Sequence, residues 1–145
     1  MLTGNSFQSL LTLDDQHKFL ECVKRHLTPN GLFAFNMRAF CPSELVTTND
    51  YHFWHEFNDD KGLKVDVFGK QIYDPETKIV HYWTKRVWPD HQTVCKISLL
   101  YSEPKQVIDL LTKHGFEITS LYSSFDRQPF TSISKALIPV CCLNK

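Results

Sequence analysis

Thr28-Pro29-Asn30-Gly31-Leu32-Phe33-Ala34-Phe35 is the stretch from which the fold class can be read. Its first half carries a proline and a positive-φ candidate, which end whatever helix precedes them. Its second half is an apolar run that does not alternate. Such a run reads as a buried strand with both faces covered, the habit of a central parallel strand in an α/β sheet. Upstream, Phe19, Leu20, Val23 and Leu27 share one face at helical spacing, so Thr12 to Leu27 reads as a helix. Thr12-Leu13-Asp14-Asp15 has the form of a capping box with Thr12 as N-cap.

Downstream, four segments have strand character, at about 51–58, 63–73, 78–88 and 92–101. They are separated by Asn58-Asp59-Asp60-Lys61-Gly62, Asp74-Pro75-Glu76-Thr77 and Pro89-Asp90-His91, all of them turn chemistry. The third segment puts Ile79, His81, Trp83, Lys85 and Val87 on one side and Val80, Tyr82, Thr84, Arg86 and Trp88 on the other. That two-sided mixture fits an antiparallel meander whose register the pattern specifies weakly. A second helix is predicted at 103–114, started by Ser102 and ended by Gly115 as the C′ residue. Two closing strands, 116–124 and 135–143, are joined by the polar stretch Phe125 to Ser134. The chain shows no internal repeat and no low-complexity tract.

With 145 residues, 42% hydrophobic and 22% charged, the chain has the balance of one folded domain with a real core. Sixteen basic and sixteen acidic residues cancel, so no global field draws it to nucleic acid or to an anionic membrane. It lacks a run of roughly 20 apolar residues that could span a bilayer. Its opening residues have neither the basic start nor the apolar core of a secretion signal, and the expectation is a cytoplasmic protein. Five cysteines, Cys22, Cys41, Cys95, Cys141 and Cys142, without C-x-x-C spacing fit reduced thiols, most of them filling the core.

Candidate chemistry outside the helices is sparse. His52 and His55 stand three apart on a predicted strand, where such residues point to opposite faces, so no metal site is expected. Cys41 and Cys95 have no histidine or acid placed beside them by sequence and read as ordinary thiols. Trp54, Trp83, Trp88, Tyr73 and Tyr82 make the meander aromatic, which suits a ligand wall, an association face or plain packing.

The opening, Gly4-Asn5-Ser6-Phe7-Gln8-Ser9-Leu10-Leu11, followed by Asp15-Gln16 and His26-Leu27-Thr28-Pro29-Asn30-Gly31-Leu32-Phe33-Ala34-Phe35, resembles the second half of a class I S-adenosylmethionine (SAM)-dependent methyltransferase. In that family the fourth strand ends in an Asn-Ser or related turn, a helix follows, and the fifth strand is an apolar run ending in a polar residue. Asn36-Met37-Arg38 stands at that end here. The helix before Gly115-Phe116-Glu117-Ile118, with Tyr122-Ser123-Ser124-Phe125 and the last strand, resembles the family's closing helix and hairpin.

The resemblance implies an α/β fold in which 1–145 is one partial methyltransferase domain, the C-terminal half of the sheet with flanking helices and an inserted β-meander at about 51–101. It implies SAM as cofactor, with Asn5 and Ser6 on the cofactor side and Phe7, Gln8 and Arg38 toward a small-molecule or unknown acceptor. Asn5 and Ser6 also read as simple turn-formers, and Arg38 as a solvated strand-end arginine. One departure is decisive for activity. The family holds its cofactor with a glycine-rich turn that lets backbone N–H groups approach the ligand. Gly4, Gly31, Gly62, Gly69 and Gly115 include no G-x-G pair.

The function expected is therefore methyl transfer from SAM when the domain is complete, with the isolated chain not autonomous. The alternative is a non-catalytic dimerisation or partner-binding module. If Leu32 to Phe35 is the fifth strand, an apolar sheet edge lies open, which predicts a homodimer or a separate chain covering it.

Overall fold

The computed structural model describes residues 1–43 and 45–143 and divides into two compact units. The first comprises Met1–Cys41 and the chain from Leu100 onward; the second is Pro42–Leu99.

In the first unit a 3₁₀ turn, Ser6–Ser9, precedes α1, Leu13–His26. Thr12 caps α1 as expected. Its Oγ1 accepts from Asp15 N–H at 3.1 Å and donates to Asp15 Oδ2 at 2.7 Å. Asp14 and Asp15 open the helix while Lys24, Arg25 and His26 close it, charges that suit the ends of its dipole. After Asn30, which takes the positive φ of 65°, come β1, Phe33–Ala34, and β2, Met37–Arg38.

The other elements of this unit are α2, Pro104–Lys113, β7, Phe116–Tyr122, and β8, Ala136–Leu143. The start of α2 differs from the sequence reading. Glu103, not Ser102, is its N-cap. Gln106 Oε1 accepts from the Glu103 N–H at 3.0 Å in a capping box, and Pro104 occupies the first turn. Gly115 follows the C-cap His114 with φ 80°, as expected.

β8 lies at the centre, pairing antiparallel with β1, β2 and β7. The expected parallel character of the 32–35 run reduces to one bridge, Leu2 to Phe35, closed by Leu2 N–H to Ala34 C=O at 2.8 Å and Asn36 N–H to Leu2 C=O at 3.2 Å. The run is not covered on both faces either. Phe33, Phe35, Met37 and Ala39 are buried, whereas Ala34 and Asn36 are half-buried and Leu32 is 64% exposed.

The covered face meets both helices. Phe7, Leu20, Phe33, Phe35, Val107, Leu111, Phe116 and Leu137 form one apolar cluster. The Phe7 and Phe35 rings approach to 4.4 Å between centroids. Burial of each such side chain contributes about 1.5–3 kcal/mol.

The second unit is the predicted meander. β3, Thr48–Asn58, β4, Lys64–Asp74, β5, Ile79–Val87, and β6, Gln92–Leu100, lie in sequence order. Asp59 organises the first turn, accepting from the N–H groups of Lys61 and Leu63 at 2.9 Å each and from Trp88 Nε1 at 3.1 Å. Asp74 does the same for the second, through Glu76 N–H at 2.9 Å and the Thr77 hydroxyl at 2.7 Å. These bonds to the charged form hold both carboxyls below the usual carboxylate range, the Leu63 N–H contributing most for Asp59 and the Thr77 hydroxyl for Asp74. Among the described residues no helix is long and apolar enough to cross a membrane.

Candidate functional site

The residues singled out in the opening converge on the C-terminal end of β1. Gly4, φ 71°, and Asn5, φ 58°, take consecutive left-handed conformations, and the chain reverses into the 3₁₀ turn. An asparagine tolerates that conformation better than most residues. Asn36, next to β1, locks it: its Nδ2 donates to Asn5 Oδ1 at 2.9 Å, and its Oδ1 accepts from Asn5 N–H at 3.5 Å. The Ser6 hydroxyl donates to Thr3 C=O at 2.6 Å, within its own turn.

Phe7 and Gln8 point the other way, into the protein, each 1% exposed. Phe7 belongs to the aromatic core with Phe19 and Phe35. Gln8 Oε1 accepts from Arg38 N–H at 2.8 Å, while its Nε2 donates to Leu100 C=O at 3.2 Å and Arg38 C=O at 3.4 Å. One buried amide thus ties the 3₁₀ turn to β2 and to the residue where the chain re-enters the first unit. Arg38 is exposed.

Asn5, Ser6 and Arg38 therefore present polar groups near solvent, and Phe7 and Gln8 brace the turn from beneath. Asn36, which the sequence marks merely as the polar end of a strand, completes the arrangement. Its pairing with Asn5 spans 31 positions, so no local pattern reveals it.

Some of the meander's aromatic residues, Tyr51 and Trp83 among them, lie against lysines. Register sets Phe68 opposite Lys85 and Lys70 opposite Trp83. Lys70 Nζ lies 5.1 Å from the Tyr51 ring centroid and 5.2 Å from that of Trp83; Lys96 lies 5.0 Å from Trp83 and Lys85 4.8 Å from Tyr51. Each contact contributes about 0.5–1 kcal/mol at an exposed site. On the opposite face Trp54 covers Gly69, where a Cβ would sit 1.8 Å from Trp54 Cζ2.

A register shift between Phe53 and His55 puts His52 opposite Gly69 and His55 opposite Val67. Those partners are two residues apart, so the bulge brings the two histidines to one side, contrary to simple alternation. Still, among the described residues no group of three or more metal-ligating side chains could hold an ion.

The five cysteines are free thiols. Cys141 alone among them is fully buried, its Sγ donating to Phe33 C=O at 3.3 Å, and burial pushes its thiol up to about 12. Cys22 and Cys95 are exposed and Cys41 and Cys142 intermediate, so core filling accounts for fewer of them than the sequence suggests.

The fold is that of SAM-dependent methyltransferases, over about half of their length. The CcbJ methyltransferase from Streptomyces caelestis matches 99% of this chain with a TM-score of 0.84 at 17% identity, the match covering 55% of that protein. A SAM-dependent methyltransferase from Clostridium acetobutylicum gives a TM-score of 0.79 at 13% identity, covering 99% of this chain and 56% of its own. A SAM-bound amino pentose methyltransferase from Micromonospora echinaspora gives 0.70 at 10% identity, covering 96% and 56%. Neither the family models nor the curated proteins compared with the sequence give a match.

No G-x-G turn is available, and the side chains of Asn5 and Ser6 already bond Asn36 and Thr3.

Proposed function

We propose that this chain is the acceptor-side half of a SAM-dependent methyltransferase, with methyl transfer to an amine nitrogen of a sugar-bearing small molecule once a glycine-turn half is joined to it. The observation that carries this reading is the match of 99% of the chain to about half of such an enzyme. The nitrogen acceptor rests on the neighbours described as a sugar N-methyltransferase, a glycopeptide N-methyltransferase and an amino pentose methyltransferase.

In this reading Asn5 and Ser6 form the rim of the cofactor pocket, and Arg38 reaches a polar or anionic group of the acceptor. Phe7 and Gln8 fix the turn that carries the rim. The less covered face of the 32–35 run, with Leu32 64% exposed, is where the joined half packs, from the same polypeptide or from a separate chain. Free thiols accord with a reducing, cytoplasmic setting.

The test is a chimera in which a segment bearing the family's glycine-rich turn precedes Met1. Calorimetric titration with S-adenosylhomocysteine is expected to give micromolar affinity, about −8 kcal/mol, and the unfused chain none at millimolar ligand. A folded chimera that fails to bind overturns the proposal. It would favour the second reading, a non-catalytic association module, which the missing G-x-G turn supports and which light scattering at micromolar concentration would register as a dimer.

A further inference from the structure

A chain of three titratable side chains lies apart from the rim just described. His114, the C-cap of α2, is 7% exposed. Its Nδ1 lies 2.8 Å from Glu21 Oε1 and its Nε2 lies 2.6 Å from His17 Nδ1. Glu21 and His17 are one helical turn apart on α1, so the imidazole of His114 bridges α1 to the junction of α2 with β7.

The partners fix the protons. A carboxylate only accepts, so His114 Nδ1 carries a hydrogen. Neutral His114 then has a lone pair on Nε2, and His17 must donate to it from Nδ1, leaving His17 Nε2 with its lone pair outward. A proton added from solvent at His17 Nε2 makes an imidazolium that still donates from Nδ1. If that Nδ1 proton crosses to His114 Nε2, the positive charge sits between Glu21 and His17, and the short contact again survives.

A second proton has no such arrangement. Both facing nitrogens then carry hydrogens, two like charges meet, and a separation of 2.6 Å is no longer possible. Other charged groups nearby are Lys24 on α1, whose Nζ stands 3.8 Å from where a Cβ on Gly115 would lie, exposed Lys113 at the end of α2, and exposed Glu117 on β7. Asp14 and Lys18, and Lys105 and Asp109, neutralise each other along the helices.

We propose that Glu21, His114 and His17 form a two-proton latch between α1 and the α2–β7 junction, closed with no added proton or one and opened by the second. The latch does not depend on the methyltransferase reading.

The test is nuclear magnetic resonance of the full chain, with histidine rings labelled with nitrogen-15, from pH 8 to pH 4. The nitrogen-15 shifts are expected to show one added proton shared by the pair before a second is taken up. Amide exchange at His114 and Gly115, corrected for its intrinsic pH dependence, is expected to accelerate at least about tenfold across the second step alone. His114→Gln places an amide that can face His17 Nδ1 in either protonation state, and should abolish that acceleration. If this variant does not fold, His17→Asn makes the same exchange from the other side. Coincident, independent titration of the two rings, or equal acceleration in wild type and variant, overturns the latch.

Discussion

Replacing Gln8 with alanine tests the view that this residue braces the turn. The amide is 1% exposed, and its removal takes the acceptor from Arg38 N–H at 2.8 Å and a donor from Leu100 C=O at 3.2 Å. Each of these part-buried groups, once deprived, costs about 1–3 kcal/mol, giving about 3 kcal/mol for the two, before any cavity is counted. For a chain of this size that lowers the melting temperature by about 10 °C. Helical circular dichroism reports the loss in the first unit, since both helices belong to it, whereas Trp54, Trp83 and Trp88 lie in the second.

Gln8→Glu adds a sign. The introduced carboxylate can still accept from Arg38 N–H, but its other oxygen faces the carbonyls of Arg38 and Leu100. Its folded pKa is therefore raised above the ordinary value of about 4.3. The destabilisation is present at pH 7 and recedes as pH falls through the folded pKa, where the protonated oxygen becomes a donor. A shift of less than about 2 °C for Gln8→Ala, or no recovery of Gln8→Glu on acidification, refutes the assignment.

Three further outcomes follow from the geometry. Gly69→Ala should expel the half-exposed Trp54 ring, costing about 1–2 kcal/mol and shifting tryptophan emission to the red; unchanged emission would contradict the overlap with Trp54 Cζ2. A native-state thiol titration near pH 8 should find Cys22 and Cys95 fast and Cys141 inert, because burial raises the last to about 12; fast reaction of Cys141 would contradict its placement. Asp59 should titrate below the usual carboxylate midpoint in carbon-13 spectra, its contribution present above the unfolded pKa and lost as pH falls through the lower folded value; an ordinary midpoint of about 3.9 would contradict the turn bonds.

The elements most readable in the sequence are those whose determinants are local. Thr12 caps α1 through a residue three positions away, Gly115 supplies a positive φ, and the acidic turns separate the four strands of the meander. Glu103 was the harder signal, because the serine beside it is the commoner cap and the glutamine that decides the matter closes a box from Glu103 instead. Where pairing partners are distant, sequence pattern ran out. Alternation mispredicted His52 and His55 because it has no representation of a bulge. The apolar run at Leu32 reads as covered on both sides, yet what lies on each side is set by tertiary packing. Asn5 and Ser6 were visible as turn residues, but nothing local distinguishes Gln8, bonded across 92 positions to Leu100, from a solvent-facing glutamine.

That same glutamine bears on how the meander is carried. Its amide holds the backbone just before the excursion, at Arg38, and just after it, at Leu100. The two stems of a long insertion are thereby pinned at one point of the host, and the closure entropy of the excursion grows slowly with its length, by about 0.6 kcal/mol per doubling. Such a base lets the guest lengthen, shorten or be exchanged while the host keeps its own core. The meander can then diversify without renegotiating the sheet of the host.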